Sequence, residues 1–186
     1  MTFEGVTYRT ADNWIGYVPI PTESIRYLEI GAFYGANLLS VANIYASHPD
    51  SQLVCIDPWF DYDEYPEYKG QQESIYTSFM RNVEPIQDKL TVHRGLSNEV
   101  IPSLEDNSFD IIYIDGNHEP EYVLEDAVLS FRKLKVGGYL IFDDYGWGGP
   151  DLTKRGIDGF LQGFHKRIDS KHVAIRNTQI FVKKTI

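Results

Sequence analysis

The stretch Tyr27-Leu-Glu-Ile-Gly-Ala-Phe-Tyr-Gly35 decides the fold of this chain of 186 residues. A short apolar run passes through Glu29, glycines follow at Gly31 and Gly35, and the pattern after them is helical. Glycine lets a strand turn sharply into a helix and lets the backbone approach a ligand that a Cβ atom would block. The spacing Gly-x-x-x-Gly is not the dinucleotide motif Gly-x-Gly-x-x-Gly, so a pyrophosphate is not the first ligand expected here.

The composition is typical of a soluble domain with its own core, since 42% of the residues are hydrophobic and 24% are charged. The net charge of −10 argues against nucleic acid as a partner, because phosphates are usually bound by basic patches. Cys55 is the only cysteine, which excludes an internal disulfide, and no apolar run approaches the length of a membrane span. We therefore expect a cytoplasmic protein, or one domain of a longer chain.

Short apolar runs alternate with helical patterns along the chain. Five of these runs predict strands at residues 25–30, 53–57, 90–94, 110–115 and 139–143. Two alternating runs at 172–176 and 179–183, joined by a short polar connection, predict a hairpin. The sequence therefore predicts an α/β fold with a doubly wound, mostly parallel Rossmann-like sheet and a C-terminal antiparallel hairpin. Residues 1–186 are expected to form a single domain, in which residues 1–24 are an N-terminal extension and residues 59–70 an acidic, aromatic loop.

Acidic residues stand at the ends of four of the five predicted parallel strands. In such a sheet, ligands lie beyond the carboxyl ends of the strands, near the point where the strand order reverses. The acidic strand-end residues are Glu29, Asp57, Asp115 and the pair Asp143 and Asp144. A single acidic end would only reflect the preference of aspartate for turns, but four at one edge favour a site for hydroxyl groups, an ammonium or a metal.

The glycine motif and the acid after the second strand give the chain a family resemblance. It resembles the class I S-adenosylmethionine-dependent methyltransferases, above all the catechol O-methyltransferase-like branch, whose first motif also reads Glu-x-Gly-Ala-aromatic-x-Gly. The resemblance extends from about Tyr27 to the final hairpin and implies a single methyltransferase domain with S-adenosylmethionine as its cofactor. A cationic sulfonium also suits an acidic edge on Coulombic grounds.

The resemblance implies a role for each residue that matches the family's motifs. Residues 31–35 would line the methionine part of the cofactor, Asn37 would contact its carboxylate, and Asp57 would hold its ribose. Residues 95–98 resemble the adenine-side motif of the branch, and Trp59 is expected to pack on the adenine. The full set of expected cofactor contacts is Glu29, Gly31, Ala32, Phe33, Tyr34, Gly35, Asn37, Asp57, Pro58, Trp59, Gly95, Leu96, Ser97, Asn98 and Asp115.

Asp115 and Asp143 are 28 residues apart and end consecutive predicted strands. If those strands pair, they lie about 4.8 Å apart, so that their terminal side chains, together with Asp144 in the following turn, can meet over one ion. Three carboxylates without a thiol favour a hard cation, with Mg²⁺ as the default. The chain resembles the metal-dependent macrolide-sugar O-methyltransferases of the mycinamicin and macrocin type in two motifs. These are the segment Asp115-Gly-Asn-His118 and the acidic pair Asp143-Asp144. That resemblance implies that Asp115, Asp143 and Asp144 bind Mg²⁺ and that the catalytic residues are Asp115 and the general base His118.

Aromatic residues on two loops are the expected acceptor-binding residues. Tyr62 and Tyr65 lie in the 59–70 loop, and Tyr145 and Trp147 lie in a glycine-rich segment that could form a mobile flap. Flat rings suit a sugar ring, and nearby acids suit its hydroxyl groups. The leading hypothesis is therefore a Mg²⁺-dependent O-methyltransferase that modifies a small-molecule or glycan acceptor, most simply a sugar.

Three alternatives stay open from the sequence. The pocket can serve a catechol or another phenol, which needs the metal but not His118. The chain can be a non-catalytic S-adenosylmethionine-binding module of a larger glycan-processing protein. A nicotinamide-binding fold is the weakest alternative. Homo-oligomerisation and fusion to other glycan-processing domains also stay open, and we expect neither nucleic acid nor a membrane as partner.

Overall fold

The structure is a computed structural model that describes residues 2–63, 65–176 and 179–186, and side chains are described outside residues 170–176. Seven strands, β1 to β7, are Arg26–Ile30, Gln52–Asp57, Leu90–Arg94, Phe109–Ile114, Leu134–Phe142, Ile168–Arg176 and Gln179–Lys184. Within the described ranges the α-helices, α1 to α5, are Ala36–Ile44, Gln72–Asn82, Ser97–Val100, Pro120–Lys133 and Thr153–Phe164. None of the helices in these ranges is long and apolar enough to cross a bilayer.

The seven strands form one sheet in the order β3-β2-β1-β4-β5-β7-β6. Strands β1 to β5 pair in parallel, and β7 runs antiparallel between β5 and β6. This arrangement confirms the predicted mostly parallel sheet with a C-terminal antiparallel hairpin, whose connecting residues 177 and 178 lie outside the described part of the chain. The strand order reverses between β1 and β4, so the carboxyl ends of these two strands frame the crevice in which such folds bind ligands.

Alternating strand residues divide the core between the two faces of the sheet. On one face Tyr27, Cys55 and Tyr113 pack with residues of α1 and α2. On the other face Leu28 and Ile112 pack with residues of α4 and α5. Burial on both faces explains why the central strands are almost continuously apolar in sequence. Helices cover both faces of the sheet, so polar side chains of the strands can meet a ligand at the strand ends.

Two predicted strands begin several residues earlier in the structure. The fifth strand begins at Leu134 and not at residue 139, because Leu134 pairs with Phe109 before the register shifts by a bulge to the pair Ile111 and Tyr139. Gly137 and Gly138 lie within that bulge. The first strand of the hairpin begins at Ile168 and not at residue 172.

The N-terminal extension packs on the sheet. The Trp14 side chain is fully buried, its ring lies 5.3 Å from the Tyr113 ring and 6.5 Å from the Tyr27 ring, and its indole N–H donates to Gln179 Oε1 at 3.1 Å. Burying an indole side chain of this size stabilises a fold by about 2–3 kcal/mol. The extension is therefore part of the core on the α1–α2 face of the sheet.

A close approach at Gly31 joins the carboxyl ends of β1 and β4. Gly31 has a φ of 83°, and a Cβ atom there would lie 1.9 Å from the carbonyl oxygen of Asp115. Two backbone hydrogen bonds hold the same region together, from Gly31 N to Ile56 O at 2.9 Å and from Asp115 N to Ile30 O at 2.9 Å. A side chain at position 31 would push the two loops apart.

We expect Gly31→Ala to lower the free energy of unfolding by about 3 kcal/mol, because the new Cβ collides with backbone that cannot move alone. Gly137→Ala is the matched control, since Gly137 has a similar φ of 87° with no atom near its Cβ position. Gly137→Ala should lower the free energy of unfolding by about 1–2 kcal/mol, which is the cost of a positive φ for alanine. Urea denaturation of both variants measures the difference, and equal losses would show that the close approach is not a constraint.

Candidate functional site

Asp57 at the end of β2 holds the glycine turn that follows β1. Its Oδ2 accepts hydrogen bonds from the backbone N–H groups of Ala32 and Phe33, both at 2.9 Å, and its Oδ1 accepts one from Trp59 N at 2.8 Å. Burial raises the pKa of Asp57, and these backbone bonds act against that rise. A carboxylate offers about four lone pairs, so three are already used. The predicted bonds to both ribose hydroxyls therefore require one backbone bond to be released.

Glu29 and Asn37 form a buried polar network with the N-terminal extension. Asn37 Oδ1 accepts from the N–H groups of Thr10 at 3.0 Å and Ala11 at 2.9 Å, while its Nδ2 donates to Glu29 Oε2 at 3.1 Å. Glu29 also accepts from the Tyr27 hydroxyl, and burial raises the pKa of Glu29 to about 8. Both ends of the Asn37 amide are engaged, so the structure assigns Asn37 to anchoring the extension. The expected contact with the cofactor carboxylate would have to displace these bonds.

Trp59 does not present an open face for an adenine ring. Its side chain is 2% exposed and packs on Phe79 and Tyr76 of α2, with ring centroids at 4.7 and 4.9 Å. Its indole N–H donates to Phe33 O at 3.0 Å. The ring is enclosed by α2 and by the glycine turn, and its packing on adenine stays a prediction. Phe33 and Trp59 both have positive φ values, 48° and 43°, which shows how tightly this corner is constrained.

The other predicted cofactor residues lie along the same edge of the sheet. Gly95 N donates to Asp57 O at 3.2 Å, which joins the end of β3 to the end of β2. Ser97 begins α3 and is half-buried, whereas Leu96 and Asn98 on either side of it are exposed. Pro58 is half-buried, and Tyr34 packs edge-on against Phe33 at 4.5 Å. The ends of β1, β2 and β3 thus bring most of the predicted contacts together.

Asp115, His118 and Asp144 form the one group in the described part of the chain whose ligand atoms can surround a metal ion. One ligand atom from each residue lies within 4.8 Å of the others. Asp115 follows β4, His118 lies in the loop before α4, and Asp144 follows β5 with a φ of 54°. His118 is 5% exposed, and its Nε2 atom lies 3.0 Å from Asp144 Oδ2.

Asp143 lies outside this group, whereas the sequence predicted Asp115, Asp143 and Asp144 as the ligand set. The hydroxyl of Tyr113 donates to Asp143 Oδ2, and Gln179 Nε2 donates to Asp143 Oδ1 at 3.1 Å. The Tyr113 hydroxyl also lies 3.3 Å from Asp115 Oδ2. Asp143 therefore turns toward the α1–α2 face of the sheet and supports Tyr113 below the site. Sequence reasoning missed Tyr113, although its position two residues before Asp115 places both side chains on one face of β4.

Residues 28–145 match the sequence model of a protein family described as a methyltransferase domain. The chain belongs to the methyltransferase domain family. This match confirms the predicted relationship to the class I methyltransferases, and it covers the glycine turn, the adenine-side segment and the candidate metal group.

Individual relatives are distant from this methyltransferase. It is 27% identical over 126 residues to an uncharacterised protein, R132, of Acanthamoeba polyphaga mimivirus. The matched region covers 66% of this chain and 52% of that protein. The chain therefore spans about half the length of this curated relative. Two solved structures share its fold. One is the O-methyltransferase TomG of Streptomyces achromogenes in complex with SAM, with a TM-score of 0.63, 19% identity, and coverage of 88% of this chain and 74% of TomG. The other is MycE of the mycinamycin biosynthetic pathway in complex with Mg, SAH and mycinamycin VI, with a TM-score of 0.58, 16% identity, and coverage of 88% and 45%.

The acids of the methyltransferase crevice have no lysine or arginine partner in the described part of the chain, and the basic side chain described beside them is the imidazole of His118, 3.0 Å from Asp144. Among the described ion pairs, none joins a lysine or arginine to Glu29, Asp115, Asp143 or Asp144. Burial raises the pKa of Asp115 well above its usual range, and the nearby Asp143 raises it further. Burial is also the main cause of the raised pKa of Asp143. Uncompensated carboxyl groups of this kind favour a ligand that carries positive charge.

Two loops bring aromatic rings onto His118. The Tyr65 hydroxyl lies 3.3 Å from His118 Nδ1, and the Trp147 ring lies 4.5 Å from the imidazole ring. A neutral imidazole satisfies both neighbours when Nε2–H donates to Asp144 and Nδ1 accepts from Tyr65. Tyr65 and Trp147 are both predicted acceptor-binding residues. The centroids of their rings lie 6.2 Å apart, and both rings are neighbours of the His118 ring.

The other two predicted acceptor residues lie elsewhere. The Tyr145 hydroxyl donates to Asp158 Oδ1 at 3.0 Å, and the Lys154 ammonium lies 5.1 Å from the Tyr145 ring centroid. Tyr145 thus faces α5, and its acceptor role stays a prediction. The Tyr62 ring packs on Phe60 at 4.6 Å within the acidic loop.

We expect Glu29 to make folding stability fall as the pH rises between about 5 and 8. Its pKa is about 8 in the folded state and 4.5 ordinarily, so across this window the unfolded chain releases a proton that the folded chain keeps. The slope for one proton is at most about 1.4 kcal/mol per pH unit. Glu29→Gln removes this term, so the stability of the variant relative to the native chain should rise from pH 5 to 8 and then level off.

Urea denaturation at several pH values measures this difference, and subtracting the two curves cancels the other titrating acids. Glu99→Gln is the matched control, because Glu99 is exposed on the surface. A difference between Glu29→Gln and the native chain that does not change with pH would contradict a protonated Glu29.

Proposed function

We propose that this methyltransferase transfers the methyl group of S-adenosylmethionine to a hydroxyl group of a small acceptor, most simply a sugar or glycan. The observation that carries the proposal is the group of Asp115, His118 and Asp144, which lies beside the glycine turn at the reversal of strand order. TomG with SAM, and MycE with Mg, SAH and mycinamycin VI, support the proposal by their fold. A sulfonium cofactor and a divalent cation both supply the positive charge that the buried acids favour.

The cofactor site uses the edge formed by β1, β2 and β3. The backbone of residues 31–35 approaches the ligand because Gly31 and Gly35 both have a φ of 83° and no side chain. Asp57 offers its remaining lone pair to the ribose, and residues 95–98 border the adenine. Asn37 and Trp59 support the cofactor site indirectly. Asn37 fixes the N-terminal extension against the sheet, and Trp59 fixes the glycine turn. The cationic end of the cofactor then faces the acids at the ends of β1 and β4.

Asp115 and Asp144 are the residues that would hold Mg²⁺. Their carboxylates lie within 4.8 Å of each other, and proteins usually bind Mg²⁺ through one or two carboxylates, with water and substrate in the other positions. The ion, when bound, supplies Lewis acidity that lowers the pKa of an acceptor hydroxyl and fixes its position. Asp143, in contrast, keeps Tyr113 in place against Asp115 through its own hydrogen bonds.

His118 is the general base in this proposal. An aliphatic hydroxyl is too weakly acidic to lose its proton unaided near neutral pH, and a neutral imidazole is a side chain that accepts such a proton readily. The Tyr65 hydroxyl lies next to Nδ1 of the ring and Asp144 lies next to Nε2, so the ring is held between two loops. Nε2 takes the acceptor proton in the tautomer that carries its own proton on Nδ1 and donates it to the Tyr65 oxygen, with the Asp144 carboxylate free to bind the metal.

A phenol or catechol acceptor is the second candidate. The Trp147 side chain is 37% exposed, and its ring lies 4.5 Å from the His118 ring, so it offers a flat face beside the base. An aromatic acceptor would pack on that face with its hydroxyl toward Asp144. A catechol is acidic enough to ionise on a metal without a base, and this property separates the two candidates.

We expect Mn²⁺ or Mg²⁺ to bind the native chain and to raise its thermal midpoint, because binding to the folded state alone stabilises it. Asp144→Asn should remove this effect, whereas Asp143→Asn should keep it, because Asp143 hydrogen-bonds to Tyr113 and Gln179. Calorimetric titration of each variant with Mn²⁺ measures the affinity. Asp50→Asn is the control, because the Asp50 side chain is 82% exposed. Loss of binding in Asp143→Asn with retention in Asp144→Asn would contradict the assignment.

We expect His118→Gln to lower methyl transfer to a methyl glycoside by about 10²–10⁴-fold, which is the usual contribution of a general base. Transfer to catechol should change by less than about tenfold, because its hydroxyl needs no base when a metal is bound. Incorporation of label from methyl-labelled S-adenosylmethionine measures both rates.

His165→Gln is the matched control, since His165 is an exposed histidine at the end of α5. Mn²⁺ titration of His118→Gln shows whether the metal site is intact. Equal losses on both acceptors with metal binding preserved would overturn the role of His118 as a base. Absence of transfer to any acceptor by the native chain, despite cofactor binding, would favour a binding module.

A further inference from the structure

The Tyr65 side chain crosses the crevice from one side to the other. Tyr65 lies in the loop after β2, whereas His118, which is next to its hydroxyl, lies in the loop after β4. In the sheet β1 stands between these two strands, and neighbouring strands are about 4.8 Å apart, so the two loops start about 10 Å from each other. Tyr65 therefore passes over the end of β1, where the glycine turn of residues 31–35 begins.

A row of aromatic rings supports Tyr65 on both sides. Toward the glycine turn, the Tyr65 ring lies 6.2 Å from the Tyr68 ring, which packs edge-on with the Phe33 ring at 5.1 Å. Toward the base, it lies 6.2 Å from the Trp147 ring and 6.0 Å from the imidazole ring of His118. Packing on two sides fixes the half-buried Tyr65 ring, so its hydroxyl has a defined position 3.3 Å from His118 Nδ1.

A tyrosine hydroxyl suits either proton arrangement of a neutral imidazole. It can donate to an unprotonated ring nitrogen or accept from a protonated one, because it has one proton and two lone pairs. The other ring nitrogen, Nε2, lies 3.0 Å from the Asp144 carboxylate, which can only accept when it is ionised. A free Asp144 carboxylate favours the imidazole proton on Nε2. Once Asp144 is engaged by a cation this preference is lost, and the Tyr65 oxygen can hold the proton on Nδ1.

We propose that Tyr65 is a positioning residue that accepts the Nδ1 proton of His118 in the complex with cofactor and metal, and thereby leaves Nε2 unprotonated to act as the base. The inference rests on the proposed function and deepens it, because it names the side chain on the cofactor side of the crevice that selects the proton arrangement of the base. Tyr65 acts through His118 and takes no proton from the acceptor.

The proton and electron balance of the step follows from this arrangement. The acceptor O–H bond breaks and an N–H bond forms at Nε2, so the ring becomes an imidazolium whose Nδ1–H still donates to the Tyr65 oxygen. The acceptor oxygen forms a bond to the methyl carbon while the bond from that carbon to sulfur breaks. The electron pair of the broken bond stays on sulfur, which leaves as a neutral thioether.

Nitrogen-15 NMR of the full chain, labelled in its histidine rings, shows which nitrogen of His118 carries the proton. Spectra are recorded with S-adenosylhomocysteine and Mg²⁺ present, and His118→Gln identifies the His118 signals. The native chain should show a protonated Nδ1 and an unprotonated Nε2. Tyr65→Phe keeps the ring but removes the hydroxyl, so the proton should redistribute toward Nε2. Tyr122→Phe is the control, because Tyr122 on α4 is 48% exposed, and it should keep the native signals.

Steady-state kinetics separates a positioning role from a merely structural one. Tyr65→Phe should lower kcat for a methyl glycoside by about threefold to tenfold, which is the usual contribution of one hydrogen bond. The KM for S-adenosylmethionine should change by less than about twofold, because the Tyr65 hydroxyl contacts the base and not the cofactor. Transfer to catechol should be nearly unchanged, since its hydroxyl needs no base when a metal is bound. The thermal midpoint of each variant is measured alongside, because a structural defect would lower the midpoint and slow both acceptors alike.

The outcomes are distinguishable. A protonated Nδ1 in the native complex that is lost in Tyr65→Phe, with the rate falling on the glycoside alone, supports the inference. A proton on Nε2 in the native complex, an unchanged arrangement in Tyr65→Phe, or equal losses on both acceptors overturns the inference and leaves the proposed methyl transfer standing. If the native chain binds no S-adenosylhomocysteine, or transfers no methyl group to either acceptor, the proposed function fails and the inference falls with it.

Discussion

Four acids that are buried or half-buried, with no lysine or arginine partner in the described part of the chain, determine how the site is organised. Glu29, Asp115, Asp143 and Asp144 share one crevice, and an isolated ionised carboxylate is costly to bury. The chain meets this cost in three ways. Glu29 has a pKa of about 8 and keeps its proton at neutral pH, and Asp143 accepts hydrogen bonds from Tyr113 and Gln179. We propose that Asp115 and Asp144 bind a cationic ligand, and this proposal connects the fold with the chemistry.

The reversal of strand order explains why these groups meet in one place. Strands β1 and β4 are neighbours in the sheet although 78 residues separate Ile30 from Phe109 along the chain, and Gly31 lets their ends come together. The N-terminal extension then closes one side, because Asn37 joins Thr10 to Glu29 and Trp14 fills the space beside Tyr113. The site is thus supported by the α1–α2 face of the sheet, and the loops after β2 and β5 bring Tyr65 and Trp147 next to His118.

Much of this arrangement could be predicted from the sequence, and the limits of prediction have a physical cause. The apolar runs predicted the sheet and its hairpin, and the acidic strand ends named Asp115 and Asp144 among the candidate site residues. The direction of individual side chains did not follow. Asp143 and Asp144 are adjacent, and the positive φ of Asp144 together with Gln179 on a distant strand decides which of them faces His118. The direction of the Trp59 side chain did not follow from the sequence either, since the α2 residues that enclose it come later in the chain.

A crystal structure with S-adenosylhomocysteine and Mn²⁺, with anomalous differences recorded at the manganese edge, tests whether Asp115 and Asp144 hold a metal beside the cofactor. We predict one anomalous peak at about 2.1 Å from carboxylate oxygens of both Asp115 and Asp144, with the nucleoside across the ends of β1 and β2. A peak coordinated by Asp143, or full nucleoside density with no metal between Asp115 and Asp144, would contradict it.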